Sequence, residues 1–286
     1  MTATPSVALD GRPRAAEIRA EVALAAAESA AGGNRPRLAV VVATEDESTA
    51  WYVRSIARAA EKAGLACDLV TLPADSQPAL IREELERLSA DRSVHGVILQ
   101  TPLPKGAVAA ELAAALDPAK DVDGANPLSL GRLAAGLPAF APATAEAVVQ
   151  LLDFHDVPLS GRTVTVVGRS TVVGKPLAHL LLDRDATVTV AHSRTADLPA
   201  VTRQADIVVA AAGRIGLITA EHLRQGAVVV DVGTNPTPEG GLAGDVDASA
   251  ATVAAAVSPV PGGVGPITTA LLLRHTVLAA RRAAEG

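Results

Sequence analysis

Short apolar runs of strand length, separated by stretches with helical spacing, constrain this chain more than any other feature. Leu38-Ala-Val-Val-Val-Ala43 is one, Val164-Thr-Val-Val167 is close to another, and similar runs recur downstream. A run without polar alternation suits a strand covered on both faces, the environment of a parallel sheet. The spacing predicts a helix over 15–31 ended by Gly32-Gly33, a strand over 38–43 and a helix over 48–64. A strand over 66–71, a helix over 78–90, a strand over 96–100 and a helix over 107–116 follow. Such alternation implies parallel pairing with right-handed crossovers. A Gly- and Pro-rich loop running from 124 to 144 reads as the hinge between two domains.

A helix over 144–155 opens a second series, with strands over 163–167, 187–191, 206–210 and 227–232. Helices are expected over 175–183, 198–205 and 220–224. A last helix, 268–283, is expected to return to the first domain. The fold class is therefore α/β with two domains. The N-terminal α/β domain, with a parallel sheet, takes residues 1–143 plus 268–286. A Rossmann-like dinucleotide domain takes 144–267.

Composition excludes several functions. Aromatic residues make up only 1% of the 286 residues, so a base-stacking nucleic-acid surface is not expected. The net charge of −6 comes without any block of like charge, which argues against polyanion or membrane binding. Cys67 is the only cysteine, and the six histidines are scattered, so neither a disulfide nor a metal site is expected. No apolar run is long enough to span a membrane, and the first residues lack signal-peptide character, so a cytoplasmic location is expected.

The single Trp and single Tyr stand side by side as Trp51 and Tyr52, in the helix over 48–64. Ser48 or Thr49 suits its N-cap and Gly64 its C′ position. Tyr52, Ile56, Ala59 and Ala63 share one face. Periodicity by itself makes Tyr52 a core residue; a functional role needs support from elsewhere.

That support starts with Gly168-Arg-Ser-Thr-Val-Val-Gly174-Lys-Pro176, which follows a strand and opens a helix. The arrangement aims backbone N–H groups and a helix N-terminus at a phosphate. It is neither a Walker A loop nor the usual G-x-G-x-x-G, and a plain strand-to-helix turn is the competing reading. The next strand ends in Ala191-His-Ser-Arg-Thr195, where an acidic residue would select NAD. Ser193 and Arg194, with Arg169 in the first loop, suit the 2′-phosphate of NADP instead. Gln100 ends a strand, and Asp121 and Asp123 flank Val122, which reads either as a surface turn or, less well, as a cation ligand pair. A cleft lined by Tyr52, Gln100 and Asp121 is as far as spacing goes.

As a whole the chain resembles the methylenetetrahydrofolate dehydrogenase/cyclohydrolase family. The resemblance rests on Pro118-Ala-Lys-Asp-Val-Asp-Gly124, the 168–176 loop, Asp231-Val-Gly233 with Asn235, Gly244-Asp-Val246, and Pro259-Val-Pro-Gly-Gly-Val-Gly-Pro266. It implies NADP-dependent oxidation of 5,10-methylenetetrahydrofolate, hydrolysis of the methenyl product to 10-formyltetrahydrofolate, and a homodimer. It matches Tyr52, Gln100 and Asp121 to the catalytic and folate-holding groups and sets Pro261, Gly262 and Gly263 beside the folate. Gly168, Arg169, Ser170, Ser193 and Thr234 match the cofactor contacts.

The departures fall mainly on the folate half. Ile56 stands where the family pattern Y-x-x-x-K has a catalytic lysine, and Thr44, Thr101 and Ser129 also differ. Hydride loss from a carbon between two nitrogens mainly needs positioning. Hydrolysis needs a titrating group, which Ile56 cannot supply. The expectation is a dehydrogenase with weak or absent cyclohydrolase activity. The alternatives are a fully bifunctional enzyme and a non-catalytic relic that kept its folate and NADP pockets. A drifted relative acting on a shikimate-type hydroxy acid is disfavoured by the Asp-Val-Asp-Gly and Pro-Gly-Gly runs.

Overall fold

A computed structural model describes residues 6–237 and 240–285. The chain forms two compact units: one holds Ala16–Ala143 and the chain from Thr269 on, the other the chain up to Ala15 and Thr144–Thr268. The first strand, β1 (Val7–Ala8), belongs to the second unit, although the sequence reading places residues 1–143 together.

The first unit comprises most of α1 (Arg12–Ala31), then β2 (Arg37–Val42), α2 (Glu47–Lys62), β3 (Ala66–Thr71), α3 (Pro78–Ala90) and β4 (Gly96–Leu99), followed by α4 (Ala109–Ala113) and α5 (Pro127–Ala134). Its three strands are parallel in the order β3-β2-β4. Leu38 to Val41 of the central strand are fully buried, which is why that run carries no polar residue. Val97 of β4 also bridges Asp121 in parallel, so the chain at 121 leaves the same sheet edge as a strand would.

Two local expectations change. The loop over 124–144 contains α5, which Asn126 starts by accepting the Leu128 N–H at 2.7 Å, with Pro127 at the first helical position. Gly131 and Ser129 hide it from a propensity reading. The cap of α2 is Asp46 rather than Ser48 or Thr49: its carboxylate accepts the Thr49 N–H at 2.7 Å, and both hydroxyls donate to it. Gly64 does lie at C′ with φ +84. The buried face of α2 is Thr49, Val53, Ile56 and Ala60, so Tyr52 sits at its margin and is half-buried. Asp46→Ala is expected to lower the midpoint of a thermal or urea melt, because the Thr49 N–H loses its acceptor; an unchanged midpoint would sink the capping assignment.

The second unit contains β1, most of α6 (Ala143–Phe154), β5 (Thr163–Val167), α7 (Gly174–Leu182), β6 (Thr187–Ala191), α8 (Leu198–Thr202), β7 (Ile207–Ala210) and β8 (Val228–Asp231). The short strands β9 (Asn235–Pro236), β10 (Leu242–Ala243) and β11 (Ala256–Val257) and the first turn of α9 (Val264–Glu285) complete it. Six parallel strands run β1-β11-β8-β7-β5-β6. The helix expected over 220–224 is one 3-10 turn, Ala220–His222. Strand β5 lies between β6 and β7, so the strand order reverses there, the position at which open α/β sheets hold nucleotides. From Thr269 on, α9 belongs to the first unit, as expected for a returning C-terminal helix. No helix among the described residues is long and apolar enough to cross a membrane.

Candidate active site and cofactor loop

In the first unit the segments that follow β2, β4 and the bridge at Val97 all leave the carboxyl end of one parallel sheet, where ligand groups collect in such folds. They deliver Tyr52, Gln100 and the Asp121–Gly124 turn. Gln100 donates its backbone N–H to Val41 and its amide Nε2 to the Thr101 carbonyl at 2.8 Å, and is half-buried. Burial pushes the Tyr52 phenol up to about 12, the charge of Asp123 adds to this, and a hydrogen bond with the Thr269 side chain opposes it. Tyr52 is therefore a neutral O–H donor across the physiological range. Ile56, one turn on, is fully buried.

The two aspartates of Asp121-Val-Asp-Gly124 separate in role. The Asp121 carboxylate, almost fully buried, accepts the N–H groups of Ala125 (3.0 Å) and Asn126 (2.8 Å), one on each oxygen. It closes the turn that leads into α5. Asp123 is the carboxylate whose charge reaches Tyr52. Burial pushes Asp123 up to about 7, and Asp121 raises it further; His275 and the Ala143 backbone pull it back. The turn itself is clamped: His275 Nδ1 meets the Val122 carbonyl at 2.8 Å, and Phe140 lies 4.9 Å from the His275 ring. Gly124, at φ +64, has the backbone of 140–142 directly over it, and a Cβ there would lie 2.5 Å from the Ala141 carbonyl carbon. Sequence spacing presents Asp121 and Asp123 as equals, and only the turn's hydrogen bonds tell them apart.

In the second unit Gly168 follows β5 at φ +136, and a Cβ there would collide with the Ala211 carbonyl oxygen. A Cβ on Gly174 would collide with the Gly168 carbonyl oxygen. Both positions therefore demand glycine, and the loop is a tightly folded cradle rather than an ordinary strand-to-helix turn. Ser170 accepts the Val173 N–H at 3.2 Å, and its carbonyl accepts the Lys175 N–H, shaping the start of α7. Arg169, Ser193 and Arg194 are exposed, the last two on a turn in which His192 Nδ1 accepts the Arg194 N–H. No carboxylate occupies 191–195. Thr234 is exposed just past β8.

Two aspartates hold the loops after β7 and β8 in place. Asp231 accepts the N–H groups of Gly233, Asp245 and Val246 at 2.8–2.9 Å. Asp245 accepts those of Ala212, Gly213 and Arg214, and an Asn235 amide N–H. These bonds account for the Asp231-Val-Gly and Gly244-Asp-Val runs as scaffolding. Pro261-Gly-Gly263 packs on the segment before α1: Gly11 donates to the Gly262 carbonyl at 2.9 Å, and the Arg12 guanidinium covers Gly262. No group of three or more His, Cys, Asp or Glu that could hold a metal ion exists among the described residues.

A parallel sheet with a glycine-built loop at its switch point, joined in one chain to a second α/β unit that sets the half-buried Tyr52 and Asp123 at the carboxyl end of its sheet, defines a two-domain nucleotide-binding α/β protein. Residues 9–123 match the family model for the catalytic domain of tetrahydrofolate dehydrogenase/cyclohydrolase, and residues 142–284 match that family's NAD(P)-binding domain. The chain belongs to the tetrahydrofolate dehydrogenase/cyclohydrolase family. It is 64% identical to bifunctional protein FolD 1 of Saccharopolyspora erythraea over 99% of both chains. Among solved structures, the bifunctional FolD enzyme of Campylobacter jejuni has a TM-score of 0.93 at 35% identity, covering 97% of this chain and 99% of that one. The Trypanosoma brucei enzyme, solved with NADP cofactor and an inhibitor, has a TM-score of 0.92 at 35% identity, covering 99% of this chain and 100% of that one.

Proposed function

We propose that this chain oxidises 5,10-methylenetetrahydrofolate to 5,10-methenyltetrahydrofolate with NADP, as a homodimer in the cytoplasm. The observation that carries this reading is the placement of the half-buried Tyr52 and Asp123 at the carboxyl end of the three-stranded sheet, where the Asp123 charge reaches a Tyr52 phenol held as a neutral donor. NADP supplies the hydride acceptor when bound. Arg169, Ser170, Ser193, Arg194 and Thr234 would hold it over the Gly168–Gly174 cradle, and the absence of a carboxylate after β6 favours the 2′-phosphate. Asp123 is the acceptor for the N–H edge of the pterin ring, with Gln100 and the Tyr52 phenol orienting the substrate. Asp121, matched by resemblance to the folate-holding group, acts here by shaping the turn. The exposed edge strand β6, with Thr187, Thr189 and Val190 outward, supports pairing with a second copy.

The methylene carbon needs little from the protein beyond positioning, because its two nitrogens stabilise the forming cation. Hydrolysis of the methenyl product needs a proton carrier. Ile56 is buried and cannot titrate, so cyclohydrolase activity is weak in this reading. A second reading, full bifunctionality, is favoured by one observation: Asp123 lies near 7 and can titrate. Supplying methylenetetrahydrofolate with NADP and following the methenyl and 10-formyl products separately decides between them. Methenyl accumulation is expected. Rapid enzymatic 10-formyl production overturns the weak-hydrolysis reading, and no cofactor reduction at all overturns the function. Ile56→Lys is expected to raise hydrolysis about 100-fold, since burial depresses an amine into the range of a general base.

A further inference from the structure

From Thr269 on, α9 lies in the first unit and reaches both Tyr52 and the Asp121–Gly124 turn. A hydrogen bond joins the Thr269 side chain to the Tyr52 phenol. Six residues later His275 Nδ1 donates to the carbonyl of Val122, the residue before Asp123, at 2.8 Å. A carbonyl only accepts, so Nδ1 carries the hydrogen. Helical geometry sets the two side chains roughly 9 Å apart along the axis and about 120° apart around it, one towards α2 and one towards the turn. The helix between them is fixed in place. Leu271, Leu272, Leu273, Val277 and Ala280 are buried. Thr276 and Val122 close so tightly over Gly96 of β4 that a Cβ there would lie 2.8 Å from Thr276 Oγ1 and 2.9 Å from Val122 Cγ1. Further along, the Asn34 amide donates to the Ala280 carbonyl at 2.8 Å. The His275 ring, 3% exposed, lies against Phe140, and the Arg282 guanidinium stands 5.0 Å from the Phe140 ring centroid. Burying an imidazole is costly where an apolar ring would fill the same space, so its one hydrogen bond to the turn is its reason for being there.

We propose that Thr269 and His275 are positioning residues for the oxidation: one rigid helix sets both the direction of the Tyr52 phenol and the place of the Asp123 carboxylate. The inference rests on the proposed dehydrogenase function. Tyr52 rides on α2 and Asp123 on a turn after β4, so their spacing needs an element that holds both. Helix α9 does so from behind, and neither Thr269 nor His275 meets the substrate. Hydride transfer depends steeply on placement, because displacing a reacting group by about 1 Å can cost on the order of 100-fold in rate.

The test uses the full-length enzyme with methylenetetrahydrofolate and NADP. Thr269→Val keeps the side-chain shape and removes the hydroxyl. His275→Phe keeps a ring and removes the donor, and His275→Asn puts a donor back near the place of Nδ1. Thr269→Val and His275→Phe are each expected to lower kcat at least about tenfold. KM for NADP is expected to stay unchanged, since the cofactor cradle lies in the other unit. His275→Asn is expected to recover most of kcat. Should His275→Phe fail to fold, His275→Gln, whose donor sits one bond further out, is expected to show the same loss. A lowered melting midpoint with kcat unchanged, or a His275→Asn variant as slow as His275→Phe, overturns the proposal. Tyr52 is the only tyrosine, so isotope-labelled tyrosine gives one ring resonance by NMR. Thr269→Val is expected to shift it in the free protein, and an unmoved resonance overturns the Thr269 assignment. Should wild type reduce no NADP, the dehydrogenase reading fails, and a shifted resonance still supports Thr269 as the group that holds the phenol.

Discussion

Asp123→Asn is expected to lower kcat/KM for methylenetetrahydrofolate roughly 100-fold while making the protein more stable in mild alkali. The loss follows from replacing a charge-assisted acceptor with a neutral one, worth about 3 kcal/mol where the partner is buried. The gain follows from linkage. Asp123 has a folded value of about 7 against an ordinary 3.8, because burial and Asp121 both disfavour its charge. The folded state therefore holds this proton more tightly than the unfolded chain. Stability falls as pH rises from the unfolded value towards the folded one, and the penalty is complete above it. Asparagine carries no such penalty, so the variant should gain roughly 2–4 kcal/mol at about pH 8 and nothing at about pH 4. Denaturant melts at the two pH values check this, and an equal effect at both would rule out a buried Asp123 charge. Activity and stability moving in opposite directions is the signature of a group held in a costly environment for its chemistry.

Gly168→Ala is expected to weaken NADP binding at least about 100-fold and to lower the melting temperature. Two causes combine. A φ of +136 is open to glycine alone, and the new methyl would meet the Ala211 carbonyl, part of the backbone after β7. The chain must shift, and the N–H groups of the loop shift with it. Gly161→Ala is the control: its φ is +73, with nothing within 4 Å of the added carbon. It should cost about 1 kcal/mol of stability and leave NADP affinity unchanged. Equal affinity losses in the two variants, read by NADP titration, would show that the cradle has no special part in cofactor binding.

Much of this fold is legible in the residues themselves. The strands β3, β5 and β6 begin and end where their apolar and β-branched runs do; the central β5 is covered on both faces past Thr163, while β3 and β6 are partly exposed edge strands whose β-branched and apolar content carries the signal. The glycine loop is equally plain, because backbone that crowds a carbonyl leaves glycine as the only choice. Helix α5 is less legible, as its Pro, Ser and Gly content resembles a loop until the Asn126 side chain is seen holding the Ala113 and Leu116 carbonyls. The two-residue strands β1 and β11 are too short to have a period at all.

The site divides along the same line. Tyr52 stands out from the sequence as the chain's one tyrosine, and the helical register puts Ile56 a turn behind it. Local chemistry sets these features, and it reaches only a few residues. The roles of Asp121 and Asp123 are decided by segments far along the chain: the 140–142 backbone over Gly124, His275 on the Val122 carbonyl, and Thr269 on the Tyr52 phenol. Desolvation is the physical reason. Whether a carboxylate closes a turn or keeps a proton near neutrality depends on what covers it, and the cover comes from residues that no local pattern connects to it.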